Sequence, residues 1–268
     1  MQRRQLIARA ALTACALLAT AGAVHAQAPD WKKIRIGVEG AYPPFSEVGA
    51  DGKLKGFEID LAYALCAEMK AECTLVQQDF DGLIPALQAR KVDAIIASVS
   101  ITDERKKVIA FSNPYYNTPA RFTAKADAKF DFSPAGLKGK KIGVQRATIH
   151  EKFATDTFKQ SEIVRYATQD QAFLDLKSGR VDLTLADLVA ADVGFLKTPA
   201  GKGYAFVGPS YDDVKYFGVG SGVGLRKADE KVLGKKFNDA IAAVKANGTF
   251  KKLNDKYFEY DISGKTAK

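Results

Sequence analysis

The chain predicts an α/β fold of two lobes built to a similar plan, and three observations carry that prediction. Apolar runs of strand character alternate with segments of helical period from residue 34 to residue 97, the rhythm of a mostly parallel sheet with helices on both faces. The rhythm restarts at residue 141. There is also an internal echo. Leu87-Gln-Ala-Arg-Lys-Val92-Asp93 and Leu176-Lys-Ser-Gly-Arg-Val181-Asp182 are each followed by an apolar strand, at a constant offset of 176 − 87 = 89 residues. Lys33-Ile-Arg-Ile-Gly37-Val38 is likewise matched by Lys140-Lys-Ile-Gly143-Val144.

Residues 1–26 stand outside this plan. Arg3, Arg4 and Arg9 accompany an apolar stretch at 10–24 that closes on Val24-His25-Ala26, the layout of a cleaved secretory signal, with the mature chain starting at Gln27. The apolar stretch is about 15 residues, short of the roughly 20 that span a bilayer. Cys15, after Leu12-Thr13-Ala14, leaves lipoprotein cleavage as the alternative. The remainder is 268 − 26 = 242 residues with a net charge of +9 − 3 = +6. Its lysines are scattered rather than gathered into an arm, which argues for a solvated surface and against nucleic acid as a partner.

In the first set, strands are expected at 34–38, 73–76 and 93–97, with helices at 57–69 and 83–89. The second set runs strand 141–144, a helix from about 151, strand 163–166, helix 171–178 and strand 182–186. Helices at about 230–246 and 249–257 close the chain and complete the first lobe. Asn113-Pro-Tyr-Tyr-Asn-Thr-Pro119 leads from one set to the other and residues 214–223 lead back. The chain therefore crosses twice, and two such crossings make a hinge. Cys66 and Cys73 are the cysteines of the mature chain. Continuous helix would hold their Cα atoms about 10.5 Å apart, whereas a disulfide needs roughly 7 Å or less, so the helix must end between them. In an oxidising compartment the pair reads as a disulfide tying a helix end to the next strand. His150 is the one mature histidine, so no metal is expected. Walker, Gly-x-Ser-x-Gly and His-Glu-x-x-His motifs are absent, and no cofactor is implied.

Ligands of open α/β sheets bind outside the carboxyl ends of strands. In the first set those ends are Glu39 and Ser98, and in the second they are Gln145 and Asp187. Thr102 is a plausible N-cap, with Asp103 and Glu104 suited to the positive helix end; Arg105 in the same turn opposes the dipole. Either Arg105 is functional or it pairs with those acids on the surface. Thr148-Ile-His-Glu151 fits a capping box, and its free amides would welcome a carboxylate. Together with Arg105 they would form an anion clamp. Asp187 could accept from an ammonium group or serve only as a turn residue. Tyr42 and Phe80 follow the first two strands and could face the cleft as stacking walls or pack in the core.

Gly37-Val-Glu-Gly-Ala-Tyr-Pro-Pro-Phe45, Gly56-Phe-Glu-Ile-Asp-Leu61, Ser98-Val-Ser-Ile-Thr-Asp-Glu-Arg105 and Pro199-Ala-Gly-Lys-Gly-Tyr-Ala-Phe206 resemble the periplasmic lysine/arginine/ornithine- and histidine-binding proteins of ABC importers. The resemblance covers nearly the whole mature chain. It implies a type II periplasmic binding protein fold, each lobe a mixed, mostly parallel sheet flanked by helices, with lobes at 27–118 plus 218–268 and at 119–217. It also implies a non-enzymatic, monomeric protein that clamps a polar amino acid and docks on a membrane permease. By the same resemblance Arg105, with Ser100 and Thr148, holds the ligand carboxylate, and Asp187, with groups at Ser98, holds its ammonium. Tyr42 and Phe80 sandwich the aliphatic stem, and Glu39 and Glu58 approach a cationic tip. Where close relatives have a serine, an apolar residue and a glutamine, this chain has Ala97, Gln145 and His150, a departure that keeps histidine, glutamine or an opine open as ligands. A cyclohexadienyl-dehydratase-like enzyme, with Glu39 or Glu58 as general acid, is the alternative from another functional class.

Overall fold

The computed structural model describes residues 30–264; the signal segment and Cys15 lie outside the described residues. The strands in chain order are β1 (Lys33–Val38), β2 (Ala41–Tyr42), β3 (Ser46–Val48), β4 (Leu54–Lys55), β5 (Glu72–Gln77), β6 (Ala94–Ile95) and β7 (Ala110–Phe111). They continue with β8 (Ala120–Lys125), β9 (Lys141–Gln145), β10 (Glu162–Tyr166), β11 (Leu183–Asp187), β12 (Tyr204–Tyr211) and β13 (Gly224–Leu225).

Two five-stranded sheets share one plan. Their orders are β5-β1-β6-β13-β7 and β10-β9-β11-β8-β12. In each, the first three strands are parallel, and the fourth runs antiparallel to both of its neighbours. Those fourth strands, β13 and β8, are the ones that the two crossings deliver. Sequence rhythm anticipated the parallel strands but not these insertions. A short antiparallel sheet, β2-β3-β4, follows β1.

Each sheet is covered on both faces, which is why its strands read as apolar runs rather than alternating ones. On one face of the first sheet, Ile34, Ile36 and Ala94 pack with Phe57, Leu65, Phe237 and Phe250 of the helices Phe57–Glu68, Lys235–Ala246 and Thr249–Tyr257. On the other, Ile95 packs with Leu83 and Leu87 of the helix Phe80–Gln88. In the second sheet Val144, Leu183 and Leu185 meet Phe153, and Ala186 meets Phe173 and Leu176. Each fully buried side chain of this size contributes about 1.5–3 kcal/mol.

The echoed aspartates explain the repeat. Asp93 accepts a hydrogen bond from the Arg35 amide at 3.1 Å and its own amide donates to the Arg35 carbonyl at 2.7 Å. Asp182 makes the same pair of bonds with Lys141, at 2.8 and 2.9 Å. The motif thus fastens each matched strand to the start of its neighbour. In the first sheet the carboxylate also binds Arg35 and Arg226, at 2.9 and 3.2 Å, which holds Asp93 below the usual carboxylate range against its own desolvation.

The helix Phe57–Glu68 ends before Cys73, and the Cys66–Cys73 disulfide joins its last turn to β5 with Cα atoms 6.2 Å apart. A loop this short contributes about 2–3 kcal/mol. The two crossings are bonded to one another, Ser221 exchanging backbone hydrogen bonds with Tyr115 and Tyr116, both at 2.9 Å; Ile101, before the first crossing, also donates to Gly220 at 2.8 Å. The halves also approach closely at Gly194 and Pro43. A Cβ on Gly194 would lie 2.8 Å from the carbonyl oxygen of Pro43, closer than any side chain tolerates.

Candidate functional site

The carboxyl ends of both sheets meet over two small adjoining cavities. Tyr42, Ser98, Ser100, Ile149 and His150 line both. Thr118, Asp187 and Ser221 belong to the first, and Glu39, Phe80, Arg105, Gln145 and Thr148 to the second. The sequence-derived residues are therefore brought together, with one exception.

That exception is Glu58, which lines neither cavity and is 1% exposed. Its Oε1 accepts from the Ser98 amide at 2.7 Å and the Tyr115 hydroxyl at 2.5 Å, while Oε2 accepts from the Ser98 hydroxyl at 3.1 Å. In this arrangement Glu58 stands behind Ser98, which lines both cavities. Glu58 is engaged in holding Ser98, whose φ of 53° is unusual for a residue with a side chain and needs such support. Burial nonetheless pushes its carboxyl up to about 7.

Arg105 does not pair with its acidic neighbours. Thr102 caps the short helix Asp103–Lys106 by accepting from the Arg105 amide at 3.2 Å. The guanidinium turns inward and donates to the carbonyls of Ser100, at 3.1 Å, and Ala147, at 3.3 Å, over the Phe80 ring 5.6 Å away. Desolvation lowers it to about 10, so the cation persists at neutral pH. His150, buried and close to that charge, falls to about 3 and is neutral. Thr148 accepts from the Glu151 amide at 3.1 Å, but Glu151 returns its carboxylate to the Ala147 amide, at 2.6 Å, rather than to the cap residue. Only half of the expected capping box forms.

Asp187 ends β11, lines the first cavity and serves as a helix cap. Its Oδ1 caps the helix Leu188–Ala191, accepting from the Val189 amide at 2.8 Å, and its Oδ2 accepts from the Thr118 hydroxyl. Burial pushes it up to about 6 against those bonds. Glu39, 4% exposed, is likewise raised to about 7, chiefly by burial. It accepts from the Gln145 amide nitrogen at 2.6 Å, a bond between the two sheets. Among the described residues none of Glu39, Glu58, Arg105 or Asp187 has an ion-pair partner. The rim differs: Arg146 meets Asp81 at 2.6 Å, Lys152 meets Glu104 at 3.7 Å and Lys197 meets Glu259 at 2.7 Å, all exposed pairs worth little singly.

Thr118, Tyr116 and Ser221 were not anticipated as lining residues. They lie on the crossings, read from sequence as connectors only; the Asn-Thr-Pro run before β8 was the available signal.

The model of bacterial extracellular solute-binding proteins, family 3, matches residues 34–260. The chain is 53% identical to an L-arginine-binding protein of Pseudomonas aeruginosa over 87% of its own length and 90% of that protein. It is 44% identical to the lysine/arginine/ornithine-binding periplasmic protein of Escherichia coli, over 92% and 95%. Among solved structures, a Salmonella typhimurium periplasmic binding protein of high arginine specificity superposes with a TM-score of 0.78 at 35% identity, covering 85% of this chain and 99% of that one. With a two-lobed fold, paired strand ends and a polar cavity between them, the chain belongs to family 3 of the bacterial extracellular solute-binding proteins.

Proposed function

We propose that this chain is the periplasmic substrate-binding component of an ABC importer for a cationic amino acid, arginine foremost. The observation that carries the reading is the unmatched charge of the cavity. A half-buried guanidinium and two buried carboxylates, Glu39 and Asp187, line the joined cavities, none of them neutralised by an ion pair. An α-amino acid with a cationic side chain supplies the opposite charge at each place. Its carboxylate meets Arg105 in two parallel hydrogen bonds beside Ser100 and Thr148. Its ammonium meets Asp187 and its cationic tip meets Glu39, while the stem lies between Tyr42 and Phe80. The names of the relatives point the same way.

An opine, carrying a further carboxylate, fits less well. Gln145 spends both amide hydrogens, on Glu39 and on the Ala167 carbonyl, and His150 is neutral, so neither offers a second carboxylate a cationic partner. In this reading the lobes, 27–118 plus 218–268 and 119–217, swing about the two crossings, and a ligand touching both sheets shifts the population toward the closed form. The closed form docks on a permease whose ATPase is a separate chain. Calorimetry on ligand-stripped mature protein against arginine, lysine, ornithine, histidine, glutamine and an opine tests the proposal. Arginine is expected to bind tightest; tight binding of only a neutral or doubly anionic ligand overturns it.

A further inference from the structure

Gln145 ends β9 in the second sheet, and Glu39 follows β1 in the first. The hydrogen bond between them spans 106 residues of sequence at 2.6 Å, with Gln145 2% exposed and Glu39 4% exposed. The second hydrogen of the same amide nitrogen goes to the Ala167 carbonyl at 3.1 Å, just beyond β10. A side-chain amide has two such hydrogens and no more, so this nitrogen is fully used. With Glu39 ionised, rotating the amide would set its oxygen against a carboxylate and a carbonyl, with no donor between them. The amide is therefore pinned to its own sheet and offers Glu39 one donor in one direction.

We propose that Gln145 is a positioning residue for ligand selection, fixing the plane of the Glu39 carboxylate from the opposite sheet and so favouring a guanidinium over an ammonium tip. The inference rests on the cationic-ligand reading above and goes beyond it in naming what separates arginine from lysine. A guanidinium is a planar fork that gains its second hydrogen bond only from a carboxylate held in the matching plane, whereas an ammonium is a compact charge that accepts almost any orientation. Because the bond joins the two sheets, the oriented carboxylate exists only when they are together. Selection is thus made at closure rather than at first encounter.

The test is the ratio of arginine to lysine dissociation constants, measured calorimetrically on ligand-stripped wild type, Gln145→Met and Glu39→Asp. Methionine keeps the length of the side chain without its donors. Aspartate keeps the charge but withdraws it from the amide, and it does not depend on the Gln145 variant folding. In Gln145→Met the affinity for arginine is expected to fall roughly tenfold more than that for lysine. Glu39→Asp should reduce the same ratio, and the double variant should lose no more selectivity than either single one, as for two ends of one interaction. Equal weakening of both ligands, or an unchanged ratio, in Gln145→Met overturns the inference while leaving the cationic-ligand reading intact. Wild type that binds neither ligand overturns that reading and the inference with it.

Discussion

The two sides of the cavity hold buried charge by different means. Arg105 is held by backbone carbonyls and the face of Phe80, groups that cannot gain or lose a proton. Glu39 and Asp187 are held by an amide, a hydroxyl and a helix start. Desolvation brings Arg105 to about 10 and leaves it charged at every physiological pH, but it brings Glu39 to about 7 and Asp187 to about 6, within reach of neutralisation. The same physical cause therefore gives one side a permanent charge and the other an adjustable one.

Removing the permanent side should have the largest effect. Arg105→Ala is expected to weaken binding of any α-amino acid by roughly two to three orders of magnitude, because the ligand carboxylate loses a charge-assisted bidentate partner. Equilibrium dialysis with labelled arginine and lysine measures it, and a loss under tenfold would mean that the anion is held elsewhere. Glu39→Gln should act more selectively. The amide oxygen still accepts from Gln145, so shape is kept while charge goes, and arginine should lose roughly tenfold or more with little change for glutamine. A fluorescence titration of both ligands separates these cases.

The smallest expected effect is on the ligand-free protein as pH changes. Glu39 and Glu58 bind their protons more tightly when folded than the ordinary carboxyl near 4.5. The native state therefore holds more protons than the unfolded chain between 4.5 and 7, and stability rises as pH falls through 7. His150, depressed to about 3, acts with the opposite sign, but only below its unfolded value of 6.5. Between pH 8 and 6.5 the carboxyls dominate, and the unfolding temperature should rise by a few degrees, corresponding to about 1–2 kcal/mol. Scanning calorimetry across that window reads it, and a saturating cationic ligand, which keeps Glu39 ionised, should flatten the rise.

Much of this was legible in sequence because strand ends, caps and apolar rhythm are local. Thr102 caps as expected, and Glu39, Ser98, Gln145 and Asp187 lie around the cavity because each stands at the end of a matched strand. Misplacements came where tertiary partners decide. Glu58 carries no local mark of being consumed by Ser98 and Tyr115. The last helices were expected to begin at 230, but the chain runs through a π-type turn at Glu230–Gly234 before the regular helix Lys235–Ala246, and apolar spacing does not separate the two. The helix expected at 171 starts at Gln169 behind a full capping box between Thr168 and Gln171, a signature present in the sequence and passed over. Thr118 and Ser221 reach the cavity only because the two crossings bond to each other.

The approach of Gly194 to Pro43 gives the cavity a fixed gauge. In the proposed closing motion the two halves would come to rest there on the Gly194 backbone and the Pro43 carbonyl, which neither compress nor change rotamer. The gap left for a ligand is then set by the polypeptide itself, like calliper jaws meeting a built-in stop. A guest too large for that gap is refused by the frame, whatever its contacts with the side chains inside.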